Sequence, residues 1–490
     1  MSFDLATATT LQTLQALREK EISSVELLDA MIANIERFNP DVNAVVAQDL
    51  ERARVEATAA DDLRDAGDPM GGLHGLPMTI KDTYATLDLV TTAGSPDYAE
   101  HMPEKDATVV RLLRRAGAIV WAKTNVPLFA GDHQTYNDVY GRTNNPWNPE
   151  RTAGGSSGGA AVSIACGFTT AEVGSDIGGS IRQPASLNGV FGLKTTHGLV
   201  GGRGHIPGPP GTMSEGDLAV HGPMGRSCGD LKLLLEILTR SATAFRGVPG
   251  ARLQKFERQP DIADMRVGVW ADDAVAPVGR EVAGAITAAA AELESAGATV
   301  RNDVRPATSS EEMHHIYLRL LNSAMSGGVS STAIEKFAEA AGDGWGPADD
   351  HETNFARGVR LPHREWMKSH ERRVRVQLEW EEIFREIDVM IAPVQPIPAF
   401  PHNTEKSYGH RTLDVDGTQQ PYPNLLFWAG LATMPHLPSL AIPLGLSEEG
   451  LPIGIQLIGP MWSDHKLCSM GEEIASVLGV RFTPPPMVRA

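Results

Sequence analysis

Residues 169–185, TTAEVGSDIGGSIRQPA, run from an apolar segment into a glycine-rich turn and on to a serine, an arginine and a proline. TTAEVGS (169–175) reads as a strand and DIGGSIRQPA (176–185) as a glycine-rich turn. Glycine lets a backbone adopt positive φ and approach a ligand closely. The amides of Ile177, Gly178, Gly179 and Ser180 are therefore placed to converge on one point. Converging N–H groups stabilise the oxyanion that forms when a carbonyl is attacked, by roughly 3–4 kcal/mol per donor. Ser180, at the end of the turn, is positioned to attack that carbonyl. A serine hydroxyl is a weak nucleophile at neutral pH, so it needs a base.

Just upstream stands a second turn of the same kind, Ala153-Gly-Gly-Ser-Ser-Gly-Gly-Ala160. Taken alone it resembles a flexible linker. It runs straight into AAVSIAC (160–166), however, which suits a tightly packed buried helix, and linkers sit between domains. A phosphate-cradling loop would need lysine and then Ser or Thr after the glycines, where Ala160-Ala161 stand. Gly154-Gly-Ser-Ser-Gly158 also fits the G-x-S-x-G elbow of α/β-hydrolases, with Ser156 as nucleophile and a histidine as base. That elbow must follow a hydrophobic strand, and TNNPWNPERTA precedes it instead.

None of the 15 histidines falls in a recognisable catalytic or metal-binding cluster. His197 and His205 are the two close to the second turn in sequence. A lysine serves as base when burial keeps it neutral, because desolvation lowers its pKa. Lys81 ends the apolar segment GLPMTIK (75–81) and fits that description, although a lone lysine at a strand end is ordinarily a surface cation.

The wider chain reads as α/β. Residues 23–38 carry a capping box (Ser23, Glu26) and a one-sided apolar face, with Asn39-Pro40 expected to stop the helix. Strand 75–81, helix 106–116 and strand GAIVWAKTN give strand–helix–strand material for a helix-covered sheet. Helices are expected at 282–296, 311–325 and 364–386, and strands at 389–399, 438–445 and 451–460. No internal repeat or domain boundary is visible, so one domain over 1–490 is expected, with a core near 70–200 and a variable insert near 240–430.

Among the 490 residues 42% are hydrophobic and 21% charged, which suits a globular protein with a substantial core. The net charge of -18 counts against nucleic-acid or anionic-membrane partners. Three scattered cysteines allow no disulfide framework or metal knuckle, and no signal peptide or apolar membrane span appears. The sequence reads as cytosolic and reduced.

Lys81, Gly154–Gly159 and Gly174–Arg182 together resemble the amidase signature family, with 75 residues from Lys81 to Ser156 and 24 from Ser156 to Ser180. The resemblance extends to Gly75-Leu-Pro77, Ala122-Lys-Thr-Asn125, Tyr140-Gly141, Asn145-Pro146, Gly192-Leu-Lys194, Pro443, Gly445 and Gly450–Gly459, nearly the whole chain. It implies a large central mixed sheet covered on both sides by helices. It implies Ser180 as nucleophile, Ser156 as a bridging serine reached through a cis peptide from Gly155, and Lys81 as base. It assigns the oxyanion hole to Ile177, Gly178, Gly179 and Ser180, makes Ser157, Asp176 and Arg182 supports of the two turns, and requires no cofactor or metal.

Within that family the glutaminase subunit of the tRNA-dependent amidotransferase typically carries Lys-Pro-Thr-Tyr-Gly where Lys194-Thr-Thr-His-Gly198 stands. Gly216–Pro223 also lacks that subunit's Ser-Leu-Asp version. The membrane-anchored fatty acid amide hydrolase type would need an amino-terminal membrane segment. The expectation is therefore a stand-alone bacterial-type amidase acting on small amides, anilides, esters or carbamates, with a homodimer possible. Its pocket is expected from 125–135, 200–215, 320–370 and 425–436, with Phe129, Trp428 and Met434 as apolar candidates. A non-catalytic binding protein on the same fold would be signalled by loss of Lys81, Ser156 or Ser180, and all three are present.

Overall fold

A computed structural model describes residues 3–68, 71–206, 210–239, 253, 255–256, 260–342, 344 and 350–489. Two sheets carry the architecture. The smaller has strands β1 (Val45–Gln48), β2 (Pro77–Lys81) and β3 (Ile119–Thr124), in the order β1-β3-β2. The larger has β4 (Glu172–Asp176), β5 (Phe191–Lys194), β6 (Val220–Gly225), β7 (Arg266–Val269), β8 (Thr299–Arg301), β9 (Val389–Pro393), β10 (Ser439–Leu446) and β11 (Pro452–Ile458). Its order is β8-β7-β9-β11-β10-β5-β6-β4, with β8·β7 and β7·β9 parallel and the other pairs antiparallel. The mixed sheet is thus as expected.

The helices used below are α1 (Ser24–Val42), α2 (Thr108–Arg115), α3 (Gly158–Ala165), α4 (Arg182–Asn188), α5 (Cys228–Leu238), α6 (Arg280–Ser295), α7 (Ser310–Met325), α8 (His363–Glu386), α9 (Leu425–Thr433) and α10 (Asp464–Val477). Strand β11 shows how both faces of the large sheet are covered. Gln456 reaches Arg182 of α4, while its neighbour Leu457 packs beside Gly471 of α10, and successive strand residues point to opposite faces. One apolar cluster joins α1, α3, α5 and α10 to both sheets; a second gathers Trp270, Trp380 and Trp428 with α7, α8 and α9.

The strand–helix–strand unit β2–α2–β3 forms as expected, and its two strands pair in parallel within a three-stranded sheet of their own. One expectation needs correcting: α1 runs through Pro40 to Val42. Proline costs an interior helix a hydrogen bond, yet Pro40 falls in the final turn. There the Asn43 amide donates to Asn39 O (2.7 Å), and the Asn39 side chain accepts from the amides of Ala44 and Val45. The helix end is sealed from outside, so the proline is tolerated.

The turn expected at 176–185 is shorter than read, because α4 begins at Arg182. Residues 207–209 of the expected pocket loop lie outside the described residues. All three cysteines are buried and free, and no described helix is long and apolar enough to cross a membrane.

Candidate active site

The last residue of β2 and the turn after β4 meet where the small sheet abuts the edge of the large one. Lys81 is fully buried there, with Nζ 2.7 Å from Ser156 Oγ, 2.9 Å from Ser157 Oγ and 2.9 Å from Ser175 Oγ. Burial lowers its pKa to about 7, against the opposing pull of the Asp176 and Glu172 carboxylates. Glu172 on β4 is also fully buried, hydrogen-bonded by Thr79 and Thr124, and burial raises it to about 7.

Ser156 follows a cis Gly155–Ser156 peptide. A Cβ on Gly155 would lie 2.5 Å from Asp132 O and 2.7 Å from the Gln134 amide, so only glycine lets this loop seat. Ser157 precedes α3, and its amide donates to Ser180 O (3.1 Å), which ties the two glycine turns together. Ser180 lies at the turn's end and is buried. Among the described residues no histidine hydrogen-bonds Ser156, whose partner is Lys81, and no strand directly precedes Gly154, so the elbow arrangement is absent among them.

Asp176 organises the second turn. Its Oδ1 accepts from the Gly179 amide (2.9 Å) and Arg182 Nη2 (3.0 Å), and its Oδ2 accepts from the Ile181 amide and Arg182 Nε (both 3.1 Å). Burial pushes the Asp176 carboxyl up, but the Arg182 guanidinium and the hydrogen bonds outweigh it and leave the pKa at about 2. Arg182 also donates to Ala429 O, Thr433 Oγ1 and Gln456 Oε1, which fastens the turn to α9 and β11. The Gly179 amide is thus engaged by Asp176. Among the described residues no hydrogen bond claims the amides of Ile177, Gly178 or Ser180.

Over Gly178 stand Leu426, Tyr317 and His133. A Cβ there would meet Leu426 Cδ2 at 3.0 Å, Tyr317 Oη at 3.8 Å and His133 Cε1 at 3.9 Å. Tyr317 donates to Ile177 O (2.6 Å). His133 is held between Gln183 Oε1 (2.6 Å) and Tyr408 Oη (2.9 Å), and burial lowers its pKa, so the ring is neutral at pH 7. The nearby Asp132 and Arg411 neutralise each other at 2.6 Å, with Tyr422 donating to Asp132. His133 and Leu426 fall within the expected pocket segments 125–135 and 425–436, whereas Tyr317 and Tyr408 lie outside every expected segment.

The pocket residues read from sequence fare differently. Trp428 and Met434 belong to the apolar cluster around Trp270, and the Trp428 indole donates to Ala276 O. They are core. Phe129 packs edge-on to Tyr98 and is not among the residues over Gly178. His205 Nε2 reaches Ser175 Oγ (2.9 Å), whereas His197 stacks on His436 with no contact to the serines. His197, Asp217 and His436 have metal-like spacing, but the Arg373 guanidinium already bonds Asp217 (2.8 Å) and His436 (3.1 Å) there. A surface cleft of 360 Å³ near the β7–β8 edge, lined in part by Asp272, Glu294 and Arg305, contains none of the serine and lysine groups.

A family model described as Amidase matches residues 26–468. The A component of the glutamyl-tRNA(Gln) amidotransferase of Roseiflexus sp. (strain RS-1) is 32% identical over 479 residues, covering 94% of each chain. A solved structure of an amidase superposes with a TM-score of 0.79 at 29% identity, covering 96% of this chain and 99% of that one. A 6-aminohexanoate cyclic dimer hydrolase superposes with a TM-score of 0.78 at 25% identity, over 99% of this chain and 100% of that one. In sequence the amidotransferase component is more similar than either of these two enzymes.

Proposed function

The chain belongs to the amidase signature family, and on that premise we propose that it hydrolyses carbon–nitrogen bonds through an acyl-enzyme on Ser180. The observation that supports this is the buried Lys81 amine, 2.7 Å from Ser156 Oγ, beside a turn that ends on Ser180. Neutral Lys81 takes the Ser156 proton as Ser156 takes that of Ser180, and Ser180 Oγ attacks the carbonyl carbon. The oxyanion forms against the free amides of Ile177, Gly178 and Ser180. Gly179 drops out of that set because its amide is engaged by Asp176. The relay then returns the proton to the leaving nitrogen, so one device acts as base and then as acid. Water hydrolyses the acyl-enzyme by the same route. Ser157, Asp176 and Arg182 hold the two turns in register. This scheme assigns no step to a metal or cofactor.

Two finer readings divide on the substrate. The curated relatives support a glutaminase component of a glutamyl-tRNA(Gln) amidotransferase, which would work with partner proteins. A stand-alone enzyme for small uncharged amides, anilides, esters or carbamates draws support from the neutral wall of Leu426, Tyr317 and His133. It also draws support from Thr195-Thr-His197, Gly216–Pro223 and the net charge of -18. We place the second first on the chemistry of that wall, since an amino-acid substrate presents two charges that these side chains do not match. The test is to assay the chain alone on a 4-nitroanilide, a 4-nitrophenyl ester, an aryl carbamate and free glutamine. Cleavage of an aryl substrate without glutaminase activity is expected. Glutamine hydrolysis that appears or rises when the other amidotransferase components are added would overturn the preference and leave the acyl-enzyme scheme standing.

A further inference from the structure

Lys81 has three hydroxyl neighbours, and the relay uses only Ser156. The Ser175 hydroxyl is also met by His205 Nε2 (2.9 Å). The loop carrying His205 is stitched to the segment that follows Lys81: Ile206 N donates to Thr83 O (2.7 Å) and Ala85 N to Gly204 O (2.8 Å). The partly buried imidazole stands edge-on to Tyr84 and to His221, with ring centroids 5.0 Å away in each case. Tyr84 Oη is itself fixed by Gly174 O (2.8 Å) and His221 Nδ1 (2.9 Å).

The supply of protons and lone pairs decides what this contact does. A neutral amine has two N–H groups and one lone pair. If Lys81 is to take the Ser156 proton, the lone pair must face Ser156, and the two N–H groups go to Ser157 and Ser175. The Ser175 oxygen then accepts from Lys81, and its own proton needs another acceptor. Without one, that O–H can turn toward the Lys81 lone pair and compete with Ser156 for it.

We propose that His205 is a positioning residue that, by accepting the Ser175 hydroxyl, keeps the Lys81 lone pair directed at Ser156. The assignment rests on the Lys81–Ser156–Ser180 relay proposed above. It gives the imidazole the Nδ1–H tautomer and leaves the proton count of the reaction unchanged.

The test follows the rate at which an alkyl fluorophosphonate labels Ser180, so the natural substrate is not needed. His205→Leu, which keeps bulk but removes the acceptor, should slow labelling about tenfold or more. His205→Gln, which restores an acceptor at similar reach, should recover most of the rate. Ser175→Ala/His205→Leu should label no more slowly than Ser175→Ala alone, because the competing hydroxyl is gone. Wild-type rates in His205→Leu, equal losses in the Leu and Gln variants, or additive losses in the double variant would each overturn the inference. Failure of the wild type to label at Ser180, or labelling that survives Ser180→Ala, would instead overturn the relay itself.

Discussion

Two buried lysines sit on neighbouring parallel strands: Lys81 at the end of β2 and Lys123 in β3. Burial lowers both, Lys81 to about 7 and Lys123 to about 8. Their surroundings differ in kind. Lys123 donates to Tyr84 O (2.6 Å), Thr86 Oγ1 and Thr91 Oγ1, with the Asp82 carboxylate at 3.9 Å. A carbonyl and a carboxylate oxygen only accept, so they hold an ammonium. Lys81 has three serine hydroxyls, which both accept and donate, and no carboxylate within salt-bridge distance among the described residues. Hydroxyls tolerate either protonation state of the amine. Burial alone does not make a base; the oxygen types around the nitrogen decide it.

Exchange at the two lysines gives the largest expected contrast. Lys81→Met and Ser180→Ala should each cut turnover on the order of 10³–10⁴-fold, read by steady-state kinetics, with unfolding midpoints close to wild type. Lys123→Met should behave in reverse. It strands the buried Asp82 and should cost about 3–5 kcal/mol in denaturant unfolding, while the folded fraction keeps its turnover. A catalytically dead but stable Lys123→Met would break the comparison.

A smaller effect concerns pH. In the proposed relay the neutral Lys81 amine is the active form, so kcat/KM should be full above pH of about 7 and fall as pH drops through it. Asp176, held at about 2, should contribute nothing to that limb, so a profile flat from pH 5 to 9 would remove Lys81 as base. Smallest is Glu172→Gln. The carboxylate favours the ammonium form of both lysines, so its removal should move the acid limb to lower pH, by about one unit at most.

The proposed serines were legible because each lies in a glycine-rich turn that short-range pattern exposes, whereas Lys81, at a strand end, stood out as a base only through the resemblance to the amidase signature family. Much of what surrounds them was not legible. Glu172 reads as an ordinary polar strand residue until Thr79 and Thr124 are seen beside it. Tyr317, which reaches Gly178, and Tyr408, which holds His133, come from segments up to about 230 residues away in sequence and outside the expected pocket, a convergence no local pattern encodes. The split into two sheets was hidden for a similar reason: β2 and β3 look alike whichever sheet takes them. Trp428 and Met434 misled because large apolar side chains fill cores far more often than pockets.

The seam between the two sheets has a consequence for how the protein fails under stress. Lys81 belongs to the small sheet, Ser180 to the edge of the large one, and Ser156 to the loop between them. Few covalent links span that junction, so the alignment of nitrogen and oxygen depends on the apolar packing that the two sheets share. Activity therefore works as a gauge of docking: warming or mild denaturant should silence turnover before circular dichroism records any loss of helix.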